Sequence, residues 1–178
     1  MAKLKGLKKL NKKVSAQLAP FGISSAQASN EYAYYFTDES ITFSLVEGSL
    51  GDVCFNEFIK ERFNYECPFP FVLYLLHEVG HHKANDNIDG DIYEFCMAEK
   101  DRIETTMGLV EENEAAARKL HFEYFNLPDE IMATQWAVNY AKKHPKKIKK
   151  MAKKCHKALM KFYRLNLDPK EFEKMCEG

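Results

Sequence analysis

Residues 69–82, FPFVLYLLHEVGHH, constrain the fold of this chain more than any other stretch. Pro68 and Pro70 mark its start, a run of large apolar side chains follows, and His77-Glu78-Val79-Gly80-His81 comes next. The spacing predicts a helix. Pro70 suits a first helical turn, where its missing N–H leaves no bond unmade. Val72, Leu75, Leu76 and Val79 recur at the intervals of a buried helix face. Residues 69–76 are apolar almost all round, so the helix must be covered on most sides. In it, His77 and His81 stand one turn apart on one face. Two imidazoles so placed can take two corners of a zinc tetrahedron. Glu78 lies about 100° round the helix, near enough to act on a water held by the metal without being a ligand. That is the zinc-hydrolase pattern H-E-x-x-H.

A helix buried on most sides needs a domain around it. The 178 residues suffice for one, and 46% hydrophobic with 13% aromatic content is that of a globular chain. One domain over residues 1–178 is expected. Leu4, Leu7, Leu10, Val14 and Leu18 fall at helical spacing among lysines, giving a basic amphipathic helix within residues 1–20. Packing on the domain is its simplest use, ahead of lying on an anionic membrane or touching nucleic acid. Residues 23–30 read as a loop and residues 32–36 as a short aromatic strand. Ile41, Phe43 and Leu45 alternate with Thr42 and Ser44, as in a half-buried strand. Phe55, Phe58, Ile59 and Phe63 mark a helix with Asp52 as its N-cap. Further helices are expected over residues 92–103, with a break at 105–108, and over 111–125 and 129–143. The next helix carries Ile148, Met151, Ala152, Cys155, Leu159 and Phe162 as its apolar stripe. A last short helix starts at Asp168-Pro169. Residues 144–178 thus form a lysine-rich helical extension. The fold class is α+β, mostly helical, with a small antiparallel sheet packed on the H-E-x-x-H helix.

Net charge is zero but polarised. Residues 3–13 carry six lysines and no acid; residues 86–114 carry ten acids against Lys100 and Arg102; residues 131–167 carry ten lysines and Arg164 without an acid. The basic ends leave nucleic-acid contact open, but they lack interleaved aromatics and a reading helix. A solvated basic face is the preferred reading. The polar loop ANDNIDGD, residues 84–91, places Asn85, Asn87, Asp89 and Gly90 at calcium-loop positions. The closing glutamate is missing, because Cys96 stands there. Cys54, Cys67, Cys96, Cys155 and Cys176 are odd in number and form no C-x-x-C, as in a reduced cytoplasmic protein with free thiols. No apolar run is long enough to span a bilayer.

Two histidines need a third ligand. His81 is not followed by the glycine and histidine of the extended motif, since Ala84 and Asn87 occupy those positions. His82 points about 100° away from His81. Carboxylates remain, among them Glu94, Glu99, Glu104, Glu112, Glu114, Glu123 and Glu130. Glu130 stands out because it opens EIMATQWA. Ala133 and Ala137 let that helix approach the H-E-x-x-H helix closely, and Trp136 can wall the site. Glu112 and Glu114 are the alternatives.

The segment EIMATQWA resembles the third-ligand helix of gluzincin-type peptidases. Residues 32–143 resemble the ImmA/IrrE-like metallopeptidases carried by phages and other mobile elements. The resemblance implies a zincin-like domain with His77, His81 and Glu130 as zinc ligands and Glu78 as catalytic base. Thr134 stands where that family commonly places an Asp or Asn behind the first histidine. The expected function is a zinc-dependent metalloendopeptidase acting on a protein or peptide substrate, of the kind that includes repressors and other regulatory proteins. The alternative is a non-catalytic module with a structural or vestigial zinc site. Tyr140, Tyr124 and His82 are candidates for a second, oxyanion-stabilising donor, and residues 41–46 are a candidate edge strand for an extended substrate.

Overall fold

The computed structural model describes residues 4–29, 32–35, 37–45, 48–84, 88–110 and 112–168. Helical periodicity is expressed as α1 (Leu7–Leu18), α2 (Leu50–Phe63), α3 (Pro70–Ala84), α4 (Gly90–Leu109), α5 (Glu114–Phe125), α6 (Pro128–Lys143) and α7 (Pro145–Asn166). Three short strands, β1 (Ser25–Ser29), β2 (Ala33–Tyr35) and β3 (Ser40–Ser44), complete an α+β, mostly helical architecture.

The sheet runs β1-β3-β2, with β1 parallel to β3 and β2 antiparallel to it. Ala26 and Tyr34 both face Ile41 across the ladders. The sheet is therefore mixed rather than antiparallel. Residues 25–29 form a strand where a loop is expected, because their small side chains carry no bulky alternation. Distant groups hold them instead. Ser15 Oγ accepts from the Ala26 N–H at 2.8 Å, and Asn11 Oδ1 accepts from the Ala28 N–H at 3.1 Å, both from α1. β3 pairs on both sides, so it is the centre of the sheet and not the edge expected of residues 41–46. Its inward residues Ile41 and Phe43 are fully buried.

α1 spends its apolar stripe on the core. Leu10, Val14 and Leu18 are buried, while Lys8, Lys9, Lys12 and Lys13 stay exposed. α7 does the same with Ile148, Met151, Ala152, Cys155, Leu159 and Phe162. The Asn166 side chain accepts from the Lys5 N–H and donates to the Lys5 carbonyl, each at 2.9 Å, tying the end of α7 to the start of α1.

Ser49, not Asp52, caps α2. Its Oγ accepts from the Asp52 N–H, and the Asp52 carboxylate returns a bond to the Ser49 N–H, a reciprocal capping box. α4 does not break at residues 105–108. Thr106 Oγ1 donates to the Arg102 carbonyl within the helix at 2.7 Å, and Met107 packs beside Ile103 on a small second core with Cys96, Leu120 and Leu127. Asn113 caps α5, which starts later than residue 111. Asp89 of the polar loop caps α4.

Cys54, Cys67, Cys96 and Cys155 are free thiols. Cys176, the short helix expected from Asp168-Pro169, and residues 85–87 of the calcium-like loop fall outside the described residues. Among the described residues no helix is long and apolar enough to cross a membrane.

Candidate metal centre

α3 is buried almost all round, as its composition requires: Val72, Leu73, Leu75, Leu76 and Val79 have at most 1% exposure. It packs on α6, α7, β2 and β3. The closest approach is to α6. A Cβ built on Gly80 would lie 2.3 Å from the Ala133 carbonyl oxygen and 2.7 Å from its Cα. Gly80 and the fully buried Ala133 and Ala137 thus bring two helix backbones together. The small residues on α6 are legible in the sequence; their counterpart across the contact is Gly80, inside H-E-x-x-H.

That contact sets three donors side by side. Glu130 lies on the first turn of α6, and its Oε2 is 2.9 Å from His77 Nε2. His81 Nε2 is 3.2 Å from His77 Nε2 and 3.3 Å from Glu130 Oε1. One ligand atom from each of His77, His81 and Glu130 falls within 4.8 Å of the others, a group that could hold a metal ion. Thr134, one turn after Glu130 and 1% exposed, places Oγ1 at 3.0 Å from His77 Nδ1. A proton on Nδ1 donated to that hydroxyl leaves the Nε2 lone pair for a metal.

A second layer supports the carboxylate. Lys100, on α4, donates to both Asp129 and Glu130. Burial alone would raise the Glu130 pKa, but the imidazoles of His81 and His77 beside it and the Lys100 ammonium hold it well below the usual carboxylate range. Burial works against the Lys100 ammonium, yet the Glu130 and Asp129 carboxylates beside it push its pKa above the usual lysine value. Lys100 and Asp129 were missed in the sequence. The available signal was charge isolation, since Lys100 is one of two cations in a long acidic stretch.

The group opens on a cavity of about 1090 Å³ lined from β2, α2, α4 and α5 as well as α3 and α6. Glu78, 6% exposed, lines it but stands outside the donor group. Of the three candidate second donors, Tyr124 lines the cavity. Burial first, then Glu130, Glu78 and Glu104, raise its pKa against the opposing Lys100, so the phenol keeps its proton.

The other two candidates point elsewhere. Tyr140 stacks on Trp136 at 5.3 Å, and His82 Nδ1 pairs with the Tyr34 hydroxyl at 2.7 Å. Trp136 does not wall the site. Six residues beyond Glu130 it has turned about 240° round the helix, and it meets Phe21 edge-on. Glu112 and Glu114 are exposed and lie outside the donor group. Replacing Glu130 by Gln keeps its shape and removes its charge. Zinc affinity, read by competition with a chromophoric chelator, is expected to fall at least about 100-fold; an unchanged affinity would remove Glu130 from the ligand set.

No family model, no curated protein and no solved structure matches this chain.

Proposed function

We propose that the chain is a zinc-dependent metalloendopeptidase that hydrolyses peptide bonds of a protein substrate, of the class that includes regulatory proteins such as repressors. The observation that carries this reading is the join of the His77–His81–Glu130 group with a buried Glu78 on the wall of one open cavity. The donor set fits zinc. Two imidazole nitrogens and one carboxylate oxygen, open on one side, are the usual protein ligands of a catalytic zinc. Bound there, zinc supplies a Lewis acid and a water of lowered pKa.

The chain's own groups then divide the work. Glu78 accepts the water's proton and returns it to the leaving amine. The protonated Tyr124 donates to the oxyanion that develops on the scissile carbonyl. Thr134 orients His77, and Lys100 orients Glu130. β2 lines the cavity and, among the described strands, pairs only with β3. Its outer edge suits an extended peptide better than the central β3 does. The resemblance of residues 32–143 to ImmA/IrrE-like metallopeptidases supports the same reading.

A purely structural zinc site is closed by four protein ligands; this group offers three and faces a cavity, which favours catalysis over the non-catalytic module. The test is cleavage of a randomised peptide pool, with fragments identified by mass spectrometry. Zinc-loaded protein should cut, chelation with 1,10-phenanthroline should stop it, and added zinc should restore it. Full zinc occupancy with an uncut pool would favour the non-catalytic module.

A further inference from the structure

We infer that the cavity selects a cationic peptide, one that carries lysine or arginine, and that Asp101 and Glu104 on α4 make the selection. This rests on the peptidase reading of the same site. Charge accounting around the cavity leads to it. At the metal centre Glu78, Asp129 and Glu130 bring three negative charges. Lys100 and a divalent cation held by the donor group would bring three positive charges, so the loaded centre would balance internally. The remaining charged side chains on the cavity wall are Asp52, Asp101 and Glu104, all acidic. Asp52 is engaged in the capping box of α2, at the positive end of that helix.

Asp101 and Glu104 have no such partner. They stand three residues apart on one face of α4, both are exposed on the cavity wall, and neither makes a hydrogen bond or ion pair with another described residue. The nearby cations are taken. Lys100 is held by Asp129 and Glu130, and Arg102 turns to Glu99 and Glu123. Two uncompensated carboxylates on the wall of a cleft focus a negative potential into it. Met97 and Met107 flank them along the same stripe of α4 and also line the cavity. That is a match for lysine and arginine, whose aliphatic stems lie on apolar surface while the charged head seeks a carboxylate. An acidic peptide meets repulsion on the same wall.

The experiment uses the full chain with zinc bound and Glu78→Gln in place, so that bound peptides stay whole. A randomised decapeptide pool is passed over it, and the retained and free fractions are compared by mass spectrometry. Lysine plus arginine should be enriched over aspartate plus glutamate by about tenfold in the retained fraction. The pair Asp101→Lys with Glu104→Lys should reverse the preference, and the milder pair Asp101→Asn with Glu104→Gln should erase it. Zinc uptake and the thermal midpoint of each variant report whether it folds. Absence of enrichment, or enrichment that survives both pairs, overturns the inference. Cleavage by the chain with Glu78 intact separates the two readings. A pool retained by charge but never cut sinks the peptidase and not the selectivity; a pool cut without regard to charge does the reverse.

Discussion

Glu78→Gln is expected to leave zinc uptake unchanged and to lower peptide cleavage by about a thousandfold, within the range set by losing a general base. Glutamine keeps the length and shape of the side chain, so a position with 6% exposure on a tightly packed helix should accept it. What it cannot do is take a proton. The donor group is His77, His81 and Glu130, so zinc should remain when the charge at position 78 goes. Measuring both quantities on one preparation is what gives the experiment its force. Loss of cleavage with full zinc places Glu78 in the chemistry. Loss of both places it in the metal site, against the geometry. Undiminished cleavage with full zinc assigns the proton transfer to another group.

How much of this was legible in the sequence follows from which interactions are local. The two histidines of the donor group on α3 are one turn apart, so a single motif with helical periodicity fixes their face. Glu130 lies 53 residues beyond His77, and it was recognised through Ala133 and Ala137, a small-residue pattern that reports close helix approach. The supporting cation was harder to see. Lys100 comes from a different helix, and nothing in its neighbourhood says that it turns inward to two carboxylates rather than outward to water. β1 failed for the same reason, because its strand character comes from Ser15, Asn11 and the parallel partner β3 rather than from its own residues. The edge assignment of residues 41–46 failed because alternation marks a half-buried strand but not its neighbours. Trp136 was misplaced by reading proximity in sequence as proximity in space, where helical angle decides.

Gly80 occupies a position that the pattern H-E-x-x-H leaves open, yet its substitution should have the largest structural effect. In an ordinary helix interior, Gly→Ala gains about 1 kcal/mol through backbone entropy and propensity. Here the new Cβ would sit 2.3 Å from the Ala133 oxygen, 2.7 Å from its Cα and 2.8 Å from its carbonyl carbon. These atoms belong to the backbone of α6, so no side-chain rotation relieves the overlap; α3 and α6 must separate. Overpacking of this kind costs about 3 kcal/mol, which exceeds the propensity gain and leaves a net loss of about 2 kcal/mol. For a chain of this size that lowers the thermal midpoint by about 4–8 °C. A second consequence distinguishes this from general destabilisation. Glu130 sits one turn before Ala133, so the displacement that relieves the overlap also draws Glu130 away from His77 and His81. Gly80→Ala should therefore lose zinc affinity along with stability, by about the 100-fold expected of a disturbed ligand. A control substitution of comparable thermal cost on α1, such as Leu10→Ala, whose helix packs on β1 and α7, should lose stability alone. A Gly80→Ala protein that melts at or above the parent temperature and binds zinc as tightly would mean that α3 and α6 do not meet at this contact, and the geometry that unites the three ligands would fall with it.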